Sequence, residues 1–512
     1  MQRSTAPASM RLSNNIPLAS PDARSFGWTH DLFVRSTAVI LVVGISFLSI
    51  YKFGLLTVTG GVLGAAVLGL LAAKPDLATL AVMFVMYSNA AAVAVRSHEG
   101  LAPLAVGFFL LLCLPLFNFV VFRREGMRTD AILRWMMLYF VIMAISTIFS
   151  RTPSDSTKTI VEYVFQGIVV YFLIINTVRS PVLLRKILWI MVLTGATFGA
   201  LSWFQDFTET YQNPYGGFAV TEVVGPNGEV IRSEIDTGEE KRGQDVSRGR
   251  ASGPIKDPNF YGQILVTVLP FALVFAFTDP SRRMRLLAAT ACVLIMAGIV
   301  LSFSRGAAIA VIVVGASLFF LHYFKLRYAL LFAAGIVLII AANPAYRYRL
   351  GTLSGLGSSQ MRATEPSMKE RSRLLRAGVE VFFEHPLLGV GAGQSPNYIQ
   401  STGATGFSAG ARGIPLHNTY LQQLVETGVL GFFCFMTMAF LILRNLLRVS
   451  RYWIGKRPEY AHLATALFLS VVAYMTTNLF LHLAFIRYYW LFLGLSGAAV
   501  LALQPPSEDH PC

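Results

Sequence analysis

The chain has 512 residues, of which 54% are hydrophobic and only 13% are charged, and its mean hydropathy is +0.58. A soluble protein would carry roughly 25% charged residues, so composition excludes an ordinary soluble domain. The formal charge of +15 would suit a nucleic-acid partner, but the basic residues lie mainly in short loops between apolar windows rather than in one basic domain. We therefore predict a membrane protein that contacts lipids and binds no nucleic acid.

The apolar windows divide the chain into tails, groups of spans and long loops. Each window is long enough to cross ~30 Å of hydrocarbon as a helix. They lie at approximately 36–51, 55–73, 77–95, 101–122, 131–150, 159–178, 187–204, 260–277, 286–303, 307–324, 328–345, 418–443, 463–481 and 488–503. The pattern predicts an all-α polytopic membrane protein with about 12–14 transmembrane helices.

These helices form three groups, at residues 36–204, 260–345 and 417–503, separated by long polar loops at 205–259 and 346–416. The polar residues 1–35 contain no apolar segment typical of a secretory signal, so we expect a cytoplasmic tail there rather than a cleaved peptide. A second short cytoplasmic tail is expected at residues 504–512.

The distribution of lysine and arginine predicts the orientation. With a cytoplasmic N-terminus, most basic residues outside the long loops fall on the inner side, as the positive-inside rule requires. The outer short loops then carry only Lys52, Arg96, Arg151, Lys158, Arg305 and Arg487. Both long loops and the turn at residues 482–487 fall on this outer face, so the polar residues that could perform chemistry are expected to converge there.

The second long loop contains an amphipathic segment at residues 369–383. Leu374, Leu375, Val379 and Phe382 recur at helical spacing, with arginines on the opposite side. This pattern is typical of a helix that lies at the bilayer interface.

Cysteine and metal-ligand patterns predict neither disulfides nor a catalytic metal. Cys113, Cys292 and Cys434 lie in apolar windows and Cys512 is the final residue, which argues against a disulfide framework or a cysteine metal site. No DxD or HExxH sequence and no His/Cys cluster is present, so we expect no metal and no cofactor.

Three polar patches remain as candidates for function. The first is the end of the first loop, residues 248–259, where Arg250 precedes an Asp-Pro-Asn turn that ends at Asn259. A planar guanidinium suits phosphate oxygens, although an interfacial arginine that contacts lipid headgroups would look the same. Arg248 and Lys256 could support such a site.

The second patch is Arg305, in a short hairpin between two strongly apolar windows. An arginine with so little loop around it is energetically costly unless it meets an anion or a carboxylate. A phosphate at the membrane surface would serve, and so would Glu162 or Glu426 in a structural ion pair.

The third patch is the boundary between the second loop and the next apolar window, where His417 and Asn418 follow a run of glycines at 389–393. A histidine with its ordinary pKa of about 6.5 is mostly neutral at pH 7 and can act as a general base; a helix-capping histidine is the alternative. The glycines favour close backbone approach near a ligand rather than a dinucleotide site. Glu426, deeper in the window, fits a hydrogen-bonded packing role.

Two stretches resemble the O-antigen ligase and O-antigen polymerase superfamily of bacterial envelope enzymes. One runs from Arg250-Ala-Ser-Gly-Pro-Ile-Lys-Asp-Pro-Asn259 to Ser304-Arg305-Gly306. The other comprises His385-Pro-Leu-Leu-Gly-Val-Gly-Ala-Gly393, His417-Asn418-Thr-Tyr420 and Glu426-Thr-Gly428-Val-Leu-Gly431. The resemblance covers about residues 185–500, and the earlier windows match only in hydropathy.

The resemblance implies a metal-independent, inverting glycosyltransferase with a GT-C-like helix bundle in the bacterial inner membrane. It implies that a saccharide on undecaprenyl pyrophosphate is transferred to an acceptor glycan or glycolipid at the periplasmic face. Arg250 and Arg305 would hold the pyrophosphate, and His417 would deprotonate the acceptor hydroxyl. Asn418, Asn259, Arg248, Lys256, Arg371 and Glu426 are the possible supporting residues.

The acceptor is left open by the sequence. A ligase would use a lipid A core sugar or a protein, whereas a polymerase would use the next lipid-linked repeat. An insert at residues 220–248 departs from the pattern of the family, and the predicted spans exceed the dozen expected of a ligase; both favour a polymerase of O-antigen or exopolysaccharide. A transporter or flippase for lipid-linked glycans, or a structural subunit of an export machine, would be a different class.

Overall fold

The computed structural model describes residues 74–224, 230–232, 249–323, 366–401, 415–483 and 486–505, with a few more between 64 and 71. The windows at 36–51 and 328–345, most of the one at 55–73, both predicted tails, Arg248 and most of the insert at 220–248 lie outside the described residues. Residues Lys74–Cys512 form one compact unit.

Nearly all of the described chain is helical, which confirms the predicted all-α membrane architecture. The α-helices are α1 Pro75–Ser88, α2 Ala90–Ser97, α3 Ala102–Gly107, α4 Cys113–Phe117, α5 Ala131–Ile148, α6 Pro153–Glu162, α7 Val170–Thr177, α8 Pro181–Thr208, α9 Pro258–Thr278, α10 Arg282–Leu301, α11 Arg305–Phe320, α12 Pro366–Glu384, α13 Ser395–Ser401, α14 Thr419–Trp453, α15 Pro458–Thr477 and α16 Ile486–Ala502. Short 3₁₀ helices lie at Glu99–Leu101, Phe108–Leu112, Tyr215–Gly217 and Gly253–Ile255, and π-helical turns at Asn118–Phe122 and Tyr163–Val169.

Within the described residues, seven helices are long and apolar enough to cross a membrane, or eight if the bent pair α1 and α2 is one span. One of the seven is Pro153–Thr177, which joins α6 and α7 through a π-helical turn. Three shorter apolar helices are α11, α16 and Phe108–Phe122. The total of twelve to fourteen spans stays a prediction, because several windows fall outside the described residues.

The first long loop contains a small antiparallel sheet that hydropathy did not predict. Its strands are β1 Thr221–Val224, β2 Val230–Arg232 and β3 Arg250–Ala251, in the order β2-β1-β3. In its register, Glu222 of β1 lies opposite Arg250 of β3. The sheet therefore places Arg250 beside a carboxylate.

Helix α9 is the central helix of the bundle, with 89% of its most apolar window buried. It begins at a cap in which Asp257 Oδ1 accepts from the backbone N–H groups of Asn259 (2.8 Å) and Phe260 (3.2 Å). Farther along, Gln263 donates to Thr477 Oγ1 (2.8 Å) and Asn478 Oδ1 (2.9 Å) at the end of α15. These bonds fix the end of the first loop to the centre of the bundle.

Helix α14 has a break at Gly428, whose backbone angles are φ 65° and ψ −168°. Only glycine adopts this region without strain. The segment at residues 386–391 lies along the break: Val390 N–H donates to Val425 O (2.9 Å), and Val429 N–H donates to Pro386 O (2.8 Å). Backbone groups that the break leaves without helical partners are thus paired within the protein, as membrane depth requires.

We expect Gly428→Ala to destabilise the protein by about 1–3 kcal/mol or more. A Cβ there would strike the backbone of Leu387 and Leu388. Gly455→Ala is the control, because a Cβ at Gly455 meets nothing within 4 Å. Thermal unfolding of the two purified variants in one detergent checks this, and equal midpoints would contradict it.

Helix α12 contains the predicted amphipathic segment, and of its four predicted apolar residues Leu374 is buried, Leu375 and Phe382 are half-buried and only Val379 is exposed. Leu374, Ala377 and Val381 are buried, and they cluster with residues that include Leu416 and Val425. Val379, predicted on the apolar face, is 43% exposed, because the helix packs on protein through the positions at 374, 377 and 381. Its position at a bilayer surface stays a prediction.

Candidate functional site

Arg250 is the centre of a hydrogen-bonded network at the end of the first loop. Its Nε and Nη2 donate to Ser302 O at 3.2 and 3.1 Å, and Nη2 also donates to Asn259 Oδ1 at 3.1 Å. Nη1 lies 3.3 Å from Glu222 Oε2, and these two side chains are 13% and 18% exposed. The structure thus joins the first predicted patch to the hairpin that contains the second.

Arg305 is the first residue of α11, directly after this hairpin. Ser304 caps the helix by accepting from Ala307 N–H at 3.4 Å. Gly262 of α9 lets the hairpin approach closely, because a Cβ at Gly262 would lie 2.9 Å from Ser302 Oγ and 3.0 Å from Ser304 Cβ. Arg305 is half-buried and lies three residues along the chain from the carbonyl that binds Arg250.

His417 lies just before α14 in the left-handed region, with φ 50°, a conformation that is uncommon for non-glycine residues and often marks functional sites. The start of α14 is bound to the segment that follows α15: Thr419 N–H donates to Asn478 O (3.0 Å), and Thr419 Oγ1 donates to Leu481 O (2.8 Å). Gln422 Oε1 accepts from Leu483 N–H at 2.9 Å. These bonds position His417 beside His482.

The two imidazole rings form a pair, with centroids 5.2 Å apart and planes at 74°. His482 also meets the ring of Phe260, at the start of α9, with centroids 5.3 Å apart. Nδ1 of each histidine is buried and makes no hydrogen bond to any residue that the structure describes. Each ring therefore has a buried polar atom that no described residue satisfies.

Burial, together with the smaller effect of the nearby positive charge of Arg371, lowers the pKa of His417 to about 4, against an opposing effect of Asp257. Burial likewise lowers the pKa of His482 to about 3, with further contributions from His417 and Arg371. Both histidines are therefore neutral at pH 7, as a base must be. The sequence predicted a neutral His417 from the ordinary pKa of about 6.5, and in the structure the pKa is lower still, at about 4.

This pKa predicts the acid limb of the activity profile. Because the free protein keeps His417 neutral down to about pH 4, kcat/KM for glycan transfer should stay level from pH 8 to about pH 5 and fall only below it. In Arg371→Gln the loss of a positive charge should move this limb to higher pH. An inflection near 6.5 in the parent protein, unmoved in the variant, would contradict the prediction.

The structure gives several supporting residues structural roles. Asn418 caps α14 by accepting from Leu421 N–H (3.0 Å), and it donates to Leu479 O (3.2 Å). Asn259 orients Arg250. Lys256 is exposed, in a left-handed turn at φ 63°. Arg371, by contrast, is close enough to both histidines to affect their charge.

Glu426 has the packing role that the sequence predicted. Its Oε1 accepts from Ser395 Oγ (2.6 Å) and Gln422 Nε2 (3.1 Å), and its backbone carbonyl accepts from Gly391 N–H (3.1 Å). The glycines allow close approach to other parts of the protein, since a Cβ at Gly391 would meet Ser150 at 2.7 Å and one at Gly389 would meet the backbone of Glu426 at 2.5 Å. Their position near a ligand stays a prediction.

Two groups of residues meet neighbouring residues at the start of α9. Arg250, which also bonds to Ser302, contacts Asn259, and His482, which pairs with His417, contacts Phe260. The sequence did not single out His482 as a site residue. The one available signal was its predicted position on the same membrane face as His417.

Comparison with known proteins supports the predicted family. The sequence model of the O-antigen ligase family matches residues 262–436, which include Arg305, Arg371 and His417. Arg250 and His482 lie outside the matched residues. No curated protein matches the chain. Over residues 262–436 the chain is similar to the O-antigen ligase family, and this match supports the resemblance to the O-antigen ligase and polymerase superfamily.

Proposed function

We propose that this protein transfers a saccharide from undecaprenyl pyrophosphate to an acceptor hydroxyl at the periplasmic face of the bacterial inner membrane. The observation that carries the proposal is the meeting, at the start of α9, of a neutral histidine pair with the network of Arg250. A base beside guanidinium groups is the minimum that transfer from a pyrophosphate needs.

In the proposed reaction, His417 accepts the proton of the acceptor hydroxyl as that oxygen attacks the anomeric carbon. The bond from this carbon to the pyrophosphate oxygen breaks on the opposite face, which inverts the configuration. Undecaprenyl pyrophosphate leaves with the electron pair, and Arg250 and Arg305 stabilise the added negative charge. No metal is required, because a pyrophosphate is a good leaving group and the arginines supply the positive charge.

The low pKa of His417 links donor binding to proton transfer. A base with a pKa of about 4 is weak, but a bound pyrophosphate would place negative charges beside it. Nearby anions favour the protonated imidazole and so raise its pKa. His417 therefore becomes an effective base only when the donor is in place, which would limit wasteful proton transfer in the empty site.

The acceptor we favour is a second lipid-linked repeat, which makes the protein a polymerase of O-antigen or exopolysaccharide. The basis is the insert at residues 220–248, which departs from the pattern of the family, and the predicted number of spans, which exceeds that expected of a ligase. A ligase that uses a lipid A core sugar or a protein would contain the same donor site, so the product must decide between them.

The test uses purified protein, undecaprenyl-pyrophosphate-linked glycan, several acceptors and EDTA throughout. We expect the lipid-linked glycan to be consumed and a lengthened lipid-linked product to form, with inverted anomeric configuration by NMR. A product on lipid A core would identify a ligase instead. Binding of the donor without transfer to any acceptor would refute the enzyme.

One feature favours a second function, that of a transporter for lipid-linked glycans. Transporters commonly have broken helices, and here α1 and α2 meet at a 67° bend while α14 breaks at Gly428. Movement of a fluorescent lipid-linked glycan across liposomes that contain the protein, without glycosidic bond formation, would establish this alternative.

A further inference from the structure

A basic cavity lies next to the first loop but is separate from the residues assigned to the donor. It has a volume of about 300 Å³, and its lining includes Asn89, Arg96, Glu162, Gln166 and Arg487. These residues belong to α1 and α2, the π-helical span and the start of α16, none of which lies in the matched O-antigen ligase domain.

The bend between α1 and α2 forms one wall of this cavity. Asn89 occupies the bend in the left-handed conformation, with φ 58°, and its Nδ2 donates to Pro254 O at 2.9 Å. Arg96 donates to the same carbonyl, and Arg487 donates to Asn89 Oδ1. Pro254 lies in the loop between Arg250 and Asn259, so the cavity adjoins the candidate catalytic site through a few residues of backbone.

Two neighbouring arginines in the cavity favour the binding of an anion. Arg96 and Arg487 are close enough to repel each other, and neither forms an ion pair with a carboxylate of the described residues, including Glu162 in the same wall. Nε of Arg487 is buried without a hydrogen-bond partner among those residues. A guanidinium has five N–H donors, so both side chains keep donors beyond the bonds that hold the bend. Two adjacent cations with spare donors are costly at a membrane surface unless an anion binds between them.

We propose that this cavity binds the phosphate-bearing head of the acceptor lipid. The inference rests on the proposed function, in which Arg250 and Arg305 already bind the donor pyrophosphate. When both substrates are lipid-linked phosphates, the enzyme needs two anion sites at one membrane surface. The Arg96–Arg487 cavity is adjacent to the donor site and is built from a different part of the chain, as a second site must be.

The experiment separates the two substrates chemically. The donor is a lipid-pyrophosphate glycan whose own acceptor hydroxyl is O-methylated, and the acceptor carries a phosphonate in place of its cleavable glycosyl phosphate bond. Kinetics are compared for the parent, Arg96→Gln, Arg96→Lys and Glu162→Gln. Arg96 is exposed, and in Arg96→Gln the bond from Asn89 Nδ2 to Pro254 O remains, so the replacement should be tolerated. Arg96→Lys preserves the charge.

We expect Arg96→Gln to raise KM for the acceptor by about 10–100-fold, with KM for the donor and kcat unchanged. Arg96→Lys should recover most of the affinity, and Glu162→Gln should lower the acceptor KM because it removes a negative charge from the wall. With an acceptor that lacks phosphate, parent and Arg96→Gln should behave alike.

Three results would overturn the inference. A rise in donor KM would make the cavity an extension of the donor site, and a fall in kcat with both KM values unchanged would make Arg96 structural. An effect that is equal with and without acceptor phosphate would indicate a bound membrane phospholipid instead. If the parent transfers no glycan, the proposed function fails; if the parent is active and Arg96→Gln matches it, only the acceptor site fails.

Discussion

Replacing His417 with alanine is expected to lower the rate of glycan transfer by about 10²–10⁴-fold, the usual contribution of a positioned general base. The side chain makes no hydrogen bond through Nδ1 within the described structure, and its ring packs against that of His482. Hydrogen bonds of Thr419 and Asn418 hold this segment instead. The variant should therefore fold and bind donor while losing catalysis.

Initial rates at saturating donor and acceptor measure the effect, with donor affinity and thermal midpoint determined on the same preparation. His482→Gln is the matched control, because it changes the partner ring and leaves His417 in place. We expect a smaller loss in this variant, because His482 packs against the ring of His417 but is not the proposed base. Unimpaired transfer by His417→Ala would exclude His417 as the base and favour the transporter.

Hydropathy predicted the membrane helices well, because a bilayer of fixed thickness imposes a helix length that the sequence must display. Hydropathy missed both helix breaks, because Asn89 and Gly428 interrupt their helices with hardly any change in the average hydropathy of each segment. What makes the break at Gly428 tolerable is pairing with residues 386–391, and such a contact between distant segments has no local signal.

The candidate site was predictable in its membrane face but not in its contacts. Asp257-Pro-Asn259 predicted a helix start, and the structure has it. That this start lies between Arg250 and His482 depends on how α9, α14 and α15 pack. The glycines near residue 390 show what sequence cannot predict. Their small size allows another segment to approach closely, but only the structure shows which one: Gly389 approaches α14, and Gly391 approaches Ser150.

Arg250 presents a sharper question, because the structure gives it protein partners as well as a proposed ligand. We expect Arg250→Gln to lower kcat by about 10²–10³-fold, the typical cost of losing one donor to a developing anion. The same substitution also removes its bonds to Ser302 and Glu222, so a loss of activity alone would not separate catalysis from folding.

Glu222→Gln separates them. It breaks the ion pair of Arg250 but leaves the guanidinium, its bonds to Ser302 O and its contact with Asn259. The Arg250 and Glu222 side chains are only 13% and 18% exposed. The cost of removing both charges from water offsets much of their attraction, so the pair is weak evidence for a role in stability. If Arg250 binds the pyrophosphate, Glu222→Gln should preserve kcat and lower the donor KM, because it removes a carboxylate that competes for the guanidinium. Of the two variants, only Arg250→Gln should then lose activity. Equal losses of activity and of thermal midpoint in both variants would mean that Arg250 holds the loop to the hairpin and that Arg305 must bind the leaving group without it.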